Sequence, residues 1–453
     1  MRLRLTLLLY NLLLPLALLI LLPKSLLKLR RRGGGGRAFW QRLGIFDEDV
    51  NARLIAGQGR TWWIHAVSVG EVGVAQKLIA EIRRREPERP LVLSVTTPTG
   101  HAVAAKDAPE NLTVIYSPLD FGWIVRTVLS RIRPEKYILM EAELWPNLVR
   151  RAQKRGIPVT LANARLSPRS ERRYRRWRWL AGPLFSMLDR VLVQEDGDIA
   201  RWSGIGVPVE RIRVTGSIKY DLSGSVKSER VEEFRALLLG LWGNPLPPLL
   251  LAASTHPGEE KALAQVFAEL RRREFPAVAF LVAPRHFERR AEVAADLQLL
   301  GLEVVQRSLL TERGVALRSG EEGSSGEAEC NSALREALII DSTGELRDWQ
   351  ALASVVVIGK SFLAEGGQNP AEAIAAGVPV IAGPHMENFQ PLMALLQKAG
   401  GITQVDSLEA LLPALREAFS NPDKFRTAAA RGRAALECHR GATARTVDAI
   451  VGQ

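Results

Sequence analysis

The chain has 453 residues, 47% hydrophobic and 24% charged, which is ordinary for a globular protein and ample for two cored domains. Its net charge of +12 suggests an anionic partner: nucleic acid, a phosphorylated substrate or an anionic membrane. Two cysteines, Cys330 and Cys438, exclude a disulfide framework, show no metal-ligand spacing, and leave a reduced, cytosol-facing body as the simpler reading.

The first element is Leu5–Leu22, "LTLLLYNLLLPLALLILL", uncharged and 18 residues long, against the roughly 20 that a spanning helix needs. No small-residue cleavage site follows it. Arg2 and Arg4 precede it, and Lys24, Lys28, Arg30, Arg31 and Arg32 follow, so the positive excess places the body in the cytoplasm. Asn11 and Pro15 weaken a simple span and leave a shallow anchor in one leaflet open. "GGGG" at 33–36 reads as a flexible joint. From Trp62 onward, short apolar runs alternate with helical spacing: "WWIHAV", "PLVLSVTT", "LTVIYSP", "KYILME", "IPVTLANA" and "RVLVQ". A polar stretch over 221–247 interrupts, and the alternation resumes with "PLLLAAS", "AVAFLVAP", "GLEVVQ", "ALIIDS", "SVVVIGK" and "VPVIAGP". The expected organisation is therefore a membrane anchor and basic flank over 1–32, a Rossmann-like acceptor domain over 33–220, a linker over 221–247 and a Rossmann-like nucleotide domain over 248–453, whose last helix could pack back on the first domain. Two Rossmann-like α/β domains facing a cleft form the GT-B arrangement, with ligands at the carboxyl ends of the strands. The Gly/Ser/Glu-rich segment 318–333 reads as a surface loop without assigned function.

Several strand ends carry groups suited to chemistry. In "SVGEVG", Glu71 stands at a helix start, where the helix dipole favours its ionised form; it is either a dipole-pairing carboxylate or a general base. "MEAELWPN" carries Glu141 and Glu143, and Trp145-Pro146 opens a helix; the carboxylates could be acid/base partners or the segment simple turn chemistry. Lys219 of "GSIKYD" would face the cleft near a substrate carboxylate. In "GGQNPAEA", two glycines would let the backbone approach a ligand, Asn369 is expected as N-cap with Pro370 at the first helical position, and the helix start suits a phosphate, with Glu372 placed for ribose hydroxyls. Arg285 and His286 of "APRHFERR" can bind phosphate or the edge of a base, and amides around Gly344 of "DSTGEL" can contact a nucleotide. "DGD" at 196–198 is expected to cap a helix rather than hold a metal. "RLSPRSERRYRRWRWLAG" bears Arg172, Arg173, Arg175 and Arg176 beside Trp177 and Trp179; it suits an anionic lipid surface better than nucleic acid, given the apolar amino terminus.

Taken in order, "HAVSVGE", "ELWPN", "NARLS", "GSIKYD", "ASTHPGEE", "APRH", "DSTGEL", "GGQNPAEA" and "GPHMENF" resemble the motifs of 3-deoxy-D-manno-octulosonic acid (Kdo) transferases over nearly the whole chain. The resemblance implies a GT-B enzyme on the cytoplasmic face of the inner membrane, held by its N-terminal anchor. Its reaction is inverting, from CMP-Kdo to a lipid A precursor, with neither metal nor other cofactor and with no nucleic acid as partner. It implies Glu71 as catalytic base, Lys219 and Glu143 at the Kdo sugar, Arg285 and His286 on the donor side, and Asn369 and Glu372 at the ribose. Gln368 stands where the family often has histidine and is left unassigned. The competing expectations are another GT-B transferase or epimerase using a UDP-sugar, and a membrane-tethered nucleotide-binding protein without catalysis.

Overall fold

The computed structural model describes residues 2–31, 36–106, 108–221, 230–311, 314–315 and 336–452, with the side chains of 17–31, 311 and 314–315 outside that description. The glycine joint is therefore largely, and the 318–333 segment wholly, outside the described residues. The chain forms two units: Met1–Asp221 together with His439–Gln453, and Leu222–Cys438.

In the first unit, β1 (Trp62–Ala66), β2 (Leu91–Val95), β3 (Leu112–Tyr116), β4 (Lys136–Met140), β5 (Val159–Ala164), β6 (Arg190–Val193) and β7 (Ile212–Val214) form a parallel sheet. Its order is β3-β2-β1-β4-β5-β6-β7. The central strands are buried along their whole length, as near-continuous apolar runs covered by helices on both faces require. Leu139, Val159 and Trp63 enter one core, and Ile64, Leu93 and Ile138 the other. The order reverses between β1 and β4, the switch point at which open α/β sheets bind ligands. After the second unit the chain returns to the first. Helix Ala442–Val451 buries Val447 and Ile450 in the core that contains Leu78, and Asp221 accepts hydrogen bonds from the Gly441 and Thr443 amides at 2.9 and 2.7 Å.

In the second unit, β8 (Leu249–Thr255), β9 (Ala279–Pro284) and β10 (Val304–Gln306) are followed by a two-stranded antiparallel pair, β11 (Leu310–Thr311) and β12 (Gly314–Val315). Then come β13 (Ala337–Ile339), β14 (Val355–Ile358), β15 (Val380–Ala382) and β16 (Thr403–Gln404). The parallel sheet runs β10-β13-β9-β8-β14-β15-β16 and reverses between β8 and β14. The expected linker over 221–247 is corrected within its described part: Arg230–Trp242 is a helix of this unit, and its buried Phe234 stacks on Trp349 at 4.4 Å. Its leucines and phenylalanine recur at helical spacing, so burial rather than composition decides its state.

The N-terminal expectation is also revised. One helix runs Arg2–Arg31, and among the described residues no helix is long and apolar enough to cross a membrane. Thr6 is buried and Leu3 packs on the first unit's core, whereas Leu5, Leu8, Leu12, Leu13 and Leu16 are each at least half exposed. The helix contacts Arg178–Phe185 and Pro146–Lys154 of the same unit.

Candidate functional site

The loops after β1 and β4 bring three carboxyls together at the first sheet's switch point. Ser68 is the N-cap of helix Val69–Arg85, with Oγ accepting the Glu71 amide at 3.4 Å, and Glu71 folds back over the cap. Its Oε2 accepts the Val67 amide at 2.9 Å and its Oε1 the Ser68 hydroxyl at 3.2 Å, a reciprocal arrangement of the capping-box kind. The expectation that the helix dipole keeps Glu71 ionised is corrected. Burial, reinforced by Glu141 and Glu143, outweighs these hydrogen bonds and pushes its pKa up to about 7. Burial also raises the Glu141 and Glu143 carboxyls, with Glu141 adding to the shift of Glu143, while Arg165 and Lys219 act against it at Glu141. Glu141 sits in the left-handed region at φ 57°, turning the chain sharply off β4. Lys219 lies on the turn Ile218–Tyr220; burial lowers its pKa, and neighbouring Arg165 lowers it further. Asn163 holds that turn by accepting the Ile218 amide at 3.0 Å.

The "ELWPN" segment is fixed from beneath. Pro146 opens helix Pro146–Lys154. The Trp145 indole donates to His65 Nε2 at 2.9 Å, and His65 Nδ1 lies 2.9 Å from the Ser94 hydroxyl. An indole nitrogen only donates, so His65 is neutral with its proton on Nδ1. Burial drives its pKa down to about 3, in keeping with that state. Asp120 accepts the Asn147 and Leu148 amides, both at 2.8 Å.

In the second unit, loops after β9, β13 and β14 carry the expected donor-side residues. Arg285 and His286 are exposed after β9, and His286 lies edge-on to His256, 6.3 Å between ring centroids. Gly344 has φ 79° in open space, which leaves its backbone accessible. Asn369 and Glu372 follow β14 and are half-buried. Three details differ from expectation. Pro370 takes the N-cap position, and Asn369 Oδ1 instead accepts the Ala371 amide at 3.1 Å. The helix is only Ala371–Ala375, too short for a developed dipole. The glycine pair also answers to internal packing: Gly366 and Gly367 have φ 112° and 66°, and a Cβ on them would meet Asn388 Nδ2 at 2.5 Å and Met386 Sδ at 2.4 Å.

The polar cluster "STHPGEEKAL" is chiefly loop architecture. Glu259 is buried and accepts the His256, Lys360 and Phe362 amides at 3.0, 2.5 and 3.2 Å, tying the β8 loop to the β14 loop. Glu260, also buried, accepts the Thr255 hydroxyl at 3.0 Å and Arg289 at 2.7 Å. The "DGD" expectation is corrected too: Asp196 makes no side-chain cap bond, and Asp198 pairs with Arg201 at 2.8 Å. Among the described residues no group of three or more His, Cys, Asp or Glu could hold a metal.

Arg172, Arg173, Arg175 and Arg176 are exposed on helix Pro168–Arg176, which buries no side chain; Arg175 pairs with Glu171 at 2.9 Å. Trp177 and Trp179 follow, about half exposed. A cavity of about 410 Å³ lined by Pro248, Ser354, Pro379 and Arg426 lies at the amino ends of β8, β14 and β15, away from all these loops. The structure thus groups Glu71, Glu143 and Lys219, and separately gathers Arg285, His286, Gly344, Asn369 and Glu372 on one sheet end. Sequence reasoning did not single out Arg165, His65, Asp120 or His256. Arg165 and His256 follow strands and carry that signal; His65 lies within a strand and Asp120 in a loop, and their partners are remote in sequence.

Residues 37–222 match the family model described as 3-Deoxy-D-manno-octulosonic-acid transferase (kdotransferase). The chain is 34% identical over 411 residues to the 3-deoxy-D-manno-octulosonic acid transferase of Bordetella pertussis, spanning 88% of this chain and 89% of that one. It is 30% identical over 390 residues to the 3-deoxy-D-manno-octulosonic acid transferase of Haemophilus influenzae, spanning 86% of each. Among solved structures, UDP-GlcNAc 2-epimerase from Neisseria meningitidis aligns with TM-score 0.56 and 12% identity over 87% of this chain and 100% of that one, a likeness of fold alone.

Proposed function

Because this chain belongs to the 3-deoxy-D-manno-octulosonic acid transferase family, we propose that it transfers Kdo from CMP-Kdo to a lipid A precursor in lipopolysaccharide biosynthesis, with Glu71 as general base. The observation that carries the catalytic assignment is a carboxyl at the first sheet's switch point with its pKa pushed up to about 7. A base works best with a pKa near the working pH, where enough is ionised and proton affinity is still high. In the reaction, an acceptor hydroxyl oxygen bonds to the anomeric carbon while the bond from that carbon to the CMP phosphate oxygen breaks. The hydroxyl proton goes to Glu71, and CMP leaves with the bonding pair. Lys219 and Arg165 offer positive charge to the Kdo carboxylate beside the reacting carbon, where charge already in place stabilises a cation-like transition state. Glu143 holds the sugar hydroxyls. Arg285, His286, the Gly344 amides, Asn369 and Glu372 take the cytidine and its phosphate.

The same reading places the protein on the cytoplasmic face of the inner membrane. The exposed leucines of helix Arg2–Arg31 would enter the lipid surface, and the arginines of Pro168–Arg176 with Trp177 and Trp179 would meet anionic headgroups or acceptor phosphates. The test is incubation of the full chain in detergent with CMP-Kdo and a lipid A precursor, with the product mass read out. The expected result is Kdo addition with CMP-Kdo and none with UDP-sugars. Glu71→Gln is expected to lower turnover by ~10²–10⁴. Retention of more than about half the wild-type rate, with chemistry limiting, removes Glu71 as the base.

A further inference from the structure

The N-terminal helix is keyed into the loop that carries the site carboxyls. Along Arg2–Arg31, the inward positions Leu3, Thr6 and Tyr10 follow helical spacing, and the exposed Leu5, Leu8, Leu12 and Leu16 lie on the opposite side. The polar Thr6 and Tyr10 thus turn toward the protein, and most of the exposed leucines away. The Tyr10 hydroxyl lies near the Asp120 carboxyl and interacts with it electrostatically. Asn11 and Asn147 form a reciprocal amide pair: Asn147 Nδ2 donates to Asn11 Oδ1 at 2.7 Å, and Asn11 Nδ2 to Asn147 Oδ1 at 3.1 Å. Asn147 also donates to the Asp120 carbonyl at 2.6 Å. Asp120 in turn takes the first amides of helix Pro146–Lys154, whose N-cap Trp145 supplies no side-chain cap. Trp145 is held from its other side by His65. The chain of contacts therefore runs from the first turns of the N-terminal helix, through two buried groups, to the segment between Glu141 and Trp145.

We propose that Tyr10 and Asn11 are positioning residues, which act through Asp120 and Asn147 to set the Glu141–Trp145 loop at the active site. The helix is then a working part of the acceptor unit as well as a contact for lipid. Asp120 is 3% exposed and holds two backbone amides, so a shift at Tyr10 moves the start of helix Pro146–Lys154 rather than being absorbed by solvent. The inference rests on the transferase reading for its activity arm only.

Tyr10→Phe, Asn11→Ala and the double variant in the full chain test it, with turnover of CMP-Kdo in detergent and indole ¹⁵N–¹H spectra, the Trp145 signal being assigned with Trp145→Phe. The expected result is a kcat lowered about tenfold in the double variant, from a misplaced loop, with the KM for CMP-Kdo unchanged and the Trp145 signal displaced. Thermal melting identifies any unfolded variant, and Tyr10→Phe, which removes one hydroxyl, keeps the test open if the double variant does not fold. An unmoved Trp145 signal with unchanged kcat overturns the proposal and leaves the helix as a tether. An unmoved signal with a raised acceptor KM also overturns it, since the helix then acts on acceptor capture. The spectra need no activity, so failure of the transferase reading remains distinguishable.

Discussion

Burial pushes the folded pKa of Glu71 up to about 7 from an ordinary value of 4.5, so the folded carboxyl keeps its proton at pH values where the unfolded chain has lost it. The folded state therefore binds more protons than the unfolded chain between those two values, and stability contributed by this group falls as pH rises through that window. Glu71→Gln removes the titration. The variant is expected to gain about 1–3 kcal/mol over wild type at pH 8, after allowance for solvent screening, and to lose the advantage below pH 4.5. Urea unfolding at the two pH values measures the difference. The same pKa sets the rising limb of kcat/KM near pH 7 in wild type, a limb absent from the variant's residual activity. Glu259 shows the opposite use of a carboxylate. It is buried against three backbone amides, and Glu259→Ala leaves donors from two loops unsatisfied. The expected loss is about 3 kcal/mol of stability, measured by the same unfolding experiment, together with weaker CMP binding by calorimetry. Both glutamates stand at strand-to-helix turns in the sequence. Their difference is legible only from what surrounds them: neighbouring carboxyls and burial for Glu71, a ring of amides for Glu259.

Helix Pro168–Arg176 illustrates how an element can be shaped for a surface rather than a core. It buries none of its side chains, and its N-cap Ser167 accepts the Ser170 amide at 3.1 Å. Local capping and the flanking contacts hold it, which frees the arginines. Replacing Arg172, Arg173, Arg175 and Arg176 with Gln is expected to weaken binding to anionic vesicles by roughly 1 kcal/mol per exposed basic residue and to flatten its salt dependence. Arg175 should contribute least, since it is already engaged by Glu171. Vesicle sedimentation at two ionic strengths reads this out; unchanged binding and acceptor kinetics would leave only a solvated helix. At the same scale, Ala371–Ala375 is a single short turn of helix, so phosphate binding there depends on loop amides and nearby cations more than on a dipole.

For the whole molecule, the path of the chain matters as much as its elements. The first unit is completed by residues from the far end of the sequence, His439–Gln453, whose Val447 and Ile450 are buried in its core. Truncation at residue 438 is expected to lower the first unit's stability by about 3–6 kcal/mol, two buried aliphatic side chains at roughly 1.5–3 kcal/mol each. Calorimetry should show the first unit melting at lower temperature than in the full chain, while CMP binding to the second unit persists. The sequence by itself determined the alternating strand and helix pattern, the helix start at Glu71 and the Pro146 helix start, because these depend on period and on residues within one turn. It also carried the ordered motifs that identify the family. It did not reveal the edge strands Ile212–Val214 and Thr403–Gln404, which are two or three residues long and lack an apolar run. Nor could it place Asp120 beneath Asn147, turn Tyr10 inward on a leucine-rich helix, or raise the pKa of Glu71. Those outcomes were decided by tertiary structure, because desolvation, charge pairing and the satisfaction of buried amides depend on groups that are close in space and far apart along the chain.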